Sequence, residues 1–187
     1  MTAALGYLDA RTESYVGDVV RAVAAHVPVV EAYLVGSGAV GGFDPRTSDV
    51  DVVVVVERPL ADERQRVIGA VTGVECPVRD LELVLYVQGR EPPDFELNLN
   101  HGEATDAEPF WFVLDAALAQ EQAVPLLHGR PWIEVLGSVS EERIREAARE
   151  SLAWSEGRGD SFARVTSARS RHYLEHGEWI SKAEASA

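Results

Sequence analysis

The stretch Tyr33–Glu57, YLVGSGAVGGFDPRTSDVDVVVVVE, decides the fold. It leaves one apolar segment, Val29–Val35, crosses a glycine-rich turn and enters a second, Val50–Val56. The first reads as a strand. The second is a near-continuous β-branched run, the pattern of a strand buried on both faces, and belongs at the centre of a sheet. Gly36-x-Gly38-x-x-Gly41 formally matches a dinucleotide-binding fingerprint, with Glu57 at about the distance of a ribose contact. That fingerprint needs a crossover helix, because its first two strands are parallel and their connection takes at least ~10 residues. Only Phe43–Asp49 lie between Gly42 and Val50, and Pro45 is among them. The two strands are therefore expected to be antiparallel.

An antiparallel pair puts Gly36-Ser37 and Asp49-Val50-Asp51 at one edge of the sheet. Asp49 and Asp51, two apart in an extended segment, share a face. A helix over Ala61–Thr72, with Val67, Ile68 and Val71 on one side, lets a third strand, Leu81–Val87, return parallel to the second. Its start, and so Glu82, reaches the same edge, with Asp80 as the rival acid on that face. Each part has a chemical use. Gly36 lets backbone approach a phosphate, and turn amides with the Ser37 hydroxyl supply donors. Paired aspartates are the hard oxygen ligands that Mg²⁺ prefers. Glu82, crowded by two other carboxylates, is expected to hold its proton more tightly than usual, which suits a general base. Together they describe a phosphoryl-type transfer site made by positioning and electrostatics.

Outward from this centre, Thr12–Val27 reads as a helix that stops before Pro28, with Val16, Val19, Val20 and Val23 on one face. Pro92-Pro93 mark a boundary, after which Phe95–Leu99 reads as a short edge strand. Beyond the polar loop through Glu108 the pattern turns helical: Phe110–Gln120, Ser140–Trp154 and Ser161–His176, with a capping box at Ser138-x-x-Glu141 and Gly177 as a C-terminal stop. The expected class is α+β, a nucleotidyltransferase-type mixed sheet over residues 1–105 followed by a helical domain over 106–187.

Composition narrows the partners. The 187 residues carry 17 Lys and Arg against 31 Asp and Glu, a net charge of −14. Nucleic acid and anionic membranes would be repelled over most of such a surface, whereas cations and polycationic small molecules would be drawn in. Acidity of this kind most often serves solubility alone. One cysteine, Cys76, rules out an internal disulfide, and no zinc-type Cys/His spacing is present. Met1–Ala10 has no secretory pattern and no run reaches membrane-spanning length, so the expected compartment is the cytoplasm. Lys182 is the single lysine.

Gly36-Ser37, then Ser48-Asp49-Val50-Asp51 and a third acid on a later strand, resemble the nucleotidyltransferases of the DNA polymerase β type. With LELVLYV, FELNLNHG and ARSRHYLEHGEWISKAEA added, the chain from about Gly36 onward is similar to bacterial aminoglycoside adenylyltransferases of the streptomycin and spectinomycin type. The resemblance implies AMP transfer from ATP to an antibiotic hydroxyl with Mg²⁺. It implies Ser37 and Ser48 on ATP, Asp49 and Asp51 on Mg²⁺ with Glu82 beside them as base and further metal ligand, and Arg169 and Lys182 as triphosphate-binding cations. Where streptomycin-modifying members carry a tryptophan, this chain runs LNLNHG with Gly102 nearest, which points away from streptomycin. Members continue with further helices after the Ser-Lys motif, so the helical domain is expected to be short by a segment. Two other readings stay open: an antitoxin-like transferase acting on a protein partner, and an inactive nucleotide-binding domain.

Other residues attract attention for less. His172 and His176 stand four apart without a third ligand, which fits a capping or solvent-facing role better than zinc. Glu156 and Asp160, more than Glu175 and Glu178, stand near where the family binds the ammonium groups of its acceptor. Trp111, Trp132, Trp154 and Trp179 read as packing residues.

Overall fold

The computed structural model describes residues 7–186; most of the Met1–Ala10 segment and the final Ala187 lie outside that range. Two compact units form: the chain to Asp106 together with Leu118–Ser138, and Ala107–Ala117 together with Val139 onward. A single boundary at 105/106 had been expected. The chain instead crosses between units inside one helix and returns, because residues 118–138 supply a strand and a short helix to the sheet.

In the first unit, α1 (Ala10–Ala24) starts at Asp9, whose carboxylate accepts from the N–H groups of Arg11 and Thr12. This cap sets the helix two residues earlier than the apolar spacing does, and the helix ends three residues sooner. Strand β1 (Val29–Val35) runs into the short helix α2 (Gly36–Val40), and β2 (Val50–Val56) follows. A 3₁₀ turn (Ala61–Glu63) leads into α3 (Arg64–Thr72), then β3 (Leu81–Val87), β4 (Phe95–Asn100), β5 (Glu103–Ala104), α4 (Pro109–Gln122), β6 (Val124–Pro125) and α5 (Trp132–Leu136). The strand order is β5-β4-β3-β2-β1-β6. As expected, β1 and β2 are antiparallel and β2 and β3 parallel, with β2 in the middle of the sheet. The segment expected as an edge strand, β4, is second from the edge, because two residues of β5 pair on its outer side.

The sheet separates two environments. Val52, Val54 and Val56 of β2, with Leu83 and Leu85 of β3, pack into one buried core with Val16, Val19, Val20 and Val23 of α1 and Val67 and Val71 of α3. Burial of a Val or Leu side chain is worth about 1.5–3 kcal/mol, so this layer anchors the unit. The alternate face carries Tyr33, which packs on Trp132 of α5 at 5.3 Å between ring centroids. The Tyr33 hydroxyl donates to the Arg130 carbonyl at 3.0 Å, and burial together with the nearby Glu31 charge pushes its phenol up to about 12.

Glu31 is fully buried on β1. Burial alone would raise its pKa, but the backbone N–H groups of Ala32, Arg130, Leu127 and His128 all donate to its carboxylate and together hold it below its usual value. One side chain thereby fixes the segment after β6 to the sheet.

In the second unit, α6 (Glu141–Ser155) packs on α7 (Ser161–His176), and α8 (Lys182–Ala185) follows. Their core joins Ile144, Ala147, Ala148 and Tyr173 to Phe110, Val113, Leu114 and Ala117 of α4. The cap of α6 is Ser140, whose hydroxyl accepts from Arg143 N–H at 3.3 Å, and not Ser138. Gly137 ends α5 with φ +77°, so Ser138 is still in the connecting segment. The capping box of this unit is Ser181 with Glu184, at the start of α8. Gly177 does close α7, in the left-handed conformation. No helix among the described residues is long and apolar enough to cross a membrane.

Glu31→Gln is expected to cost about 2 kcal/mol, since it leaves buried donors and acceptors mismatched. The depressed carboxyl contributes its stability in full above the ordinary value of 4.5 and loses it as the pH falls. Chemical unfolding at pH 7 and pH 3 should therefore show a smaller pH-induced loss in the variant than in the parent.

Candidate active site

The edge of the sheet at the end of β1 gathers the acidic residues that the sequence marks. Val35 pairs with Asp51, Asp51 with Glu82, and Glu82 with Asn100. Residues in register share a face, so Asp51, Glu82 and Asn100 form a polar row across three adjacent strands. The row lies on the face opposite α1 and α3, because its parity is that of Val53 and Val55 and not that of the helix-facing Val52 and Val54. Among the described residues, Asn100 Oδ1 is buried without a hydrogen-bond partner.

Gly36 stands directly over this row. Its φ is +61°, and a Cβ placed there would lie 2.1 Å from Asp51 Oδ2. Glycine is required twice, for a left-handed backbone and for room beside a carboxylate. Ser37 follows in the first turn of α2, a helix of five residues that takes the place of the expected open turn. Ser48 is turned inward on its own loop: its hydroxyl accepts from Asp44 N–H at 3.1 Å, and its N–H donates to the Asp44 carbonyl at 2.7 Å.

Two basic side chains that sequence reasoning passed over attend the outer acids. Arg79 grips Asp49 with both prongs of its guanidinium, Nε to Oδ1 and Nη2 to Oδ2, each at 2.7 Å. Asp80, the rival third acid, accepts from its own neighbour Leu81 N–H and contacts the imidazole Nδ1 of His101. His101 holds φ +51° in the turn between β4 and β5, next to Gly102 at +73°. The sign available in sequence was position alone: Arg79 immediately precedes Asp80, and His101 immediately follows the strand that pairs with Glu82. Among the described residues no group of three or more His, Cys, Asp or Glu is arranged to hold a metal ion, so the expected convergence of Asp49, Asp51 and Glu82 on one ion is not present, and Asp49 is tied to Arg79.

Arg169 and Lys182 belong to the second unit. Arg169 is half-buried; its Nε donates to the Ile180 carbonyl at 2.8 Å and its guanidinium lies 5.7 Å from the Trp179 ring. Burial lowers its pKa, opposed by the charge of Asp115. Lys182 is exposed in the first turn of α8. Asp160 is spent as the N-cap of α7, accepting from Ala163 N–H at 2.8 Å. His172 and His176 stack at 4.3 Å without a third ligand, and His176 Nδ1 contacts the His172 carbonyl, as a capping role requires. Trp132 packs on Tyr33, Trp111 on Trp154, and Trp179 stacks on Tyr173 at 4.4 Å, so all four tryptophans are packing residues.

A mixed sheet whose central parallel pair places acids beside a glycine turn can be set against known proteins. Residues 17–89 match the family model of the nucleotidyltransferase domain. Over most of its length the chain, moreover, folds like the crystal structure of spectinomycin adenyltransferase AAD(9) from Enterococcus faecialis with ATP and spectinomycin. The TM-score is 0.77 at 20% identity, over 95% of this chain and 81% of that one. No curated protein matches the sequence.

Gly36→Ala is expected to displace the Asp51 carboxylate and to destabilise the first unit by about 1–2 kcal/mol through its left-handed backbone. Thermal unfolding reads the second effect. A crystal structure of the variant reads the first, as a changed Asp51 side-chain rotamer.

Proposed function

We propose that this chain transfers AMP from ATP to a hydroxyl of a cationic, aminoglycoside-like acceptor in the cytoplasm and releases pyrophosphate. The observation that carries the proposal is the register of Asp51 with Glu82 beside Gly36. Two acids in register on neighbouring strands at a glycine turn are the arrangement that cation binding and proton transfer both call for.

In this reading Glu82 accepts the proton of the acceptor hydroxyl, whose oxygen then attacks the α-phosphate in line as the bond to pyrophosphate breaks. The Ser37 hydroxyl and the amides after Gly36 hold phosphate oxygens, with Ser48 as a further ATP contact. Arg169 and Lys182 meet the triphosphate, offsetting its charge in a chain that is otherwise strongly acidic. The donor chemistry suits Mg²⁺: Asp51 and Glu82 carry carboxylates in register on neighbouring strands, the orphaned Asn100 oxygen belongs to the same row, and Asp49 would join them once released by Arg79. The ion would stabilise charge on the leaving pyrophosphate. The acceptor class rests on the net charge of −14, on the sequence resemblance and on the likeness to a neighbour solved with spectinomycin. Spectinomycin is accordingly the first acceptor to try, ahead of streptomycin.

The test follows pyrophosphate release from ATP and Mg²⁺ with spectinomycin, streptomycin and further aminoglycosides. Release with at least one acceptor is expected. Asp51→Asn and Glu82→Gln should each reduce it by about 100-fold or more, in line with removal of a charge-stabilising or proton-accepting group. No release with any acceptor, at concentrations where ATP binds, overturns the proposal.

A further inference from the structure

A cleft of about 220 Å³ lies between the end of α6 and the first half of α7, lined by Ser155, Arg158, Ala163, Arg164, Ser167 and Arg171 among others. It belongs wholly to the second unit. Three arginines around one depression concentrate positive charge in a chain of net charge −14. Arg11, Arg21, Arg46, Arg66, Arg79, Arg90, Arg143 and Arg145 form ion pairs, and Arg58, Arg64, Arg130, Arg149 and Arg169, scattered outside the cleft lining, form none among the described residues. Among the described residues Arg158, Arg164 and Arg171 form none, although Glu175 stands one helical turn beyond Arg171.

Two of the three are held in place by neutral groups. The Arg158 guanidinium lies 4.1 Å over the Trp154 ring, and its Nε donates to the Trp154 carbonyl at 3.0 Å. Trp154 is itself wedged edge-on against Trp111 and Phe162. One Arg164 nitrogen donates to the Gly159 carbonyl at 2.7 Å. Each of these bonds occupies one guanidinium nitrogen and leaves the others for a ligand. Arg171 makes no side-chain hydrogen bond among the described residues, and the partly exposed Ser167 adds a hydroxyl. Cations that are oriented but uncompensated, beside a hydroxyl, are a receptor for an oxyanion, and guanidinium forks match phosphate in particular.

We propose that this cleft binds a small phosphate anion, of the size of inorganic phosphate or pyrophosphate. Its volume is below the roughly 300–1,000 Å³ of pockets that enclose whole drug-sized ligands, which favours a compact anion over an entire nucleotide. The surrounding acidity repels long polyanions and admits a small one. Neither Arg169 nor Lys182 lines the cleft, and the inference stands whether or not the chain transfers AMP.

Isothermal titration of the whole chain without Mg²⁺ tests it, with phosphate and pyrophosphate as probes and chloride as the control for ionic strength. Saturable binding of at least one phosphate probe is expected, weakened about tenfold by R171Q and further by R164Q/R171Q, since each loses a charge-assisted contact. R171Q removes a side chain without an internal hydrogen bond, so its thermal unfolding should match the parent, which separates lost binding from lost folding. Absence of saturable binding, binding unchanged in the double variant, or phosphate displaced competitively by ATP would each overturn the proposal.

Discussion

Strand β2 is buried along six of its seven residues, and that burial sets conditions which the rest of the sheet unit has to meet. A strand with apolar side chains on both faces needs a layer over each, and its backbone needs a partner on each edge. The stretch left after the glycine turn, Phe43–Asp49, is too short for a crossover helix, so the partner on one edge is antiparallel β1. Helix α3 provides the crossover on the other, so that partner is parallel β3. The two senses of pairing bring the end of β1 and the starts of β2 and β3 to the same edge. Asp51 is the one residue of β2 that is not buried, and it marks where the strand emerges from the core into the site. The core and the acidic row are thus two ends of the same strand.

What could be read from sequence follows from how local each signal is. The bounds of β1, β2 and β3 follow their apolar runs residue for residue, because β-branched segments of this length have no competing helical pattern. The register of Asp51 with Glu82 at one edge was also legible, since it needs only strand parity and the length of a connection. The caps were less so. Asp9, with no apolar residue to announce it, starts α1, and Ser140 is preferred to Ser138 because Gly137 has only just ended the previous helix. Least legible were features set by pairing alone. β6 is two residues long, includes Pro125, and is a strand only because β1 offers it an edge and Glu31 secures the chain beyond it. Likewise, nothing within Arg79 or His101 announces a partner. Their contacts depend on where two loops meet the sheet.

The electrostatics of the edge have an order. Asp49 and Asp80, the acids just before the strands, each have a basic side chain from a loop, while Asp51 and Glu82 lie inside the strands in register with each other. The Arg79 guanidinium thus offsets part of the repulsion that would otherwise build up among four carboxylates. Net charge makes this economy necessary, because 17 cationic side chains serve 31 acidic ones.

The Arg79–Asp49 pair shows how such an arrangement stays compatible with a bound cation. The geometry is bidentate, but the Arg79 side chain is 56% exposed while Asp49 is only 16% exposed. An ion pair with one partner in water is worth about 0–1 kcal/mol, because solvent screens it and the long side chain loses freedom in making it. A divalent ion held by two or three carboxylates in a half-buried site interacts far more strongly than that. Arg79 therefore orients Asp49 at little cost, and letting go of it would impose a barrier too small to compete with a divalent ion. A buried arginine in the same place would have behaved differently. Its removal would strand a charge in low dielectric, at several kcal/mol, and the pair would be a lock on the edge and not a holder for it.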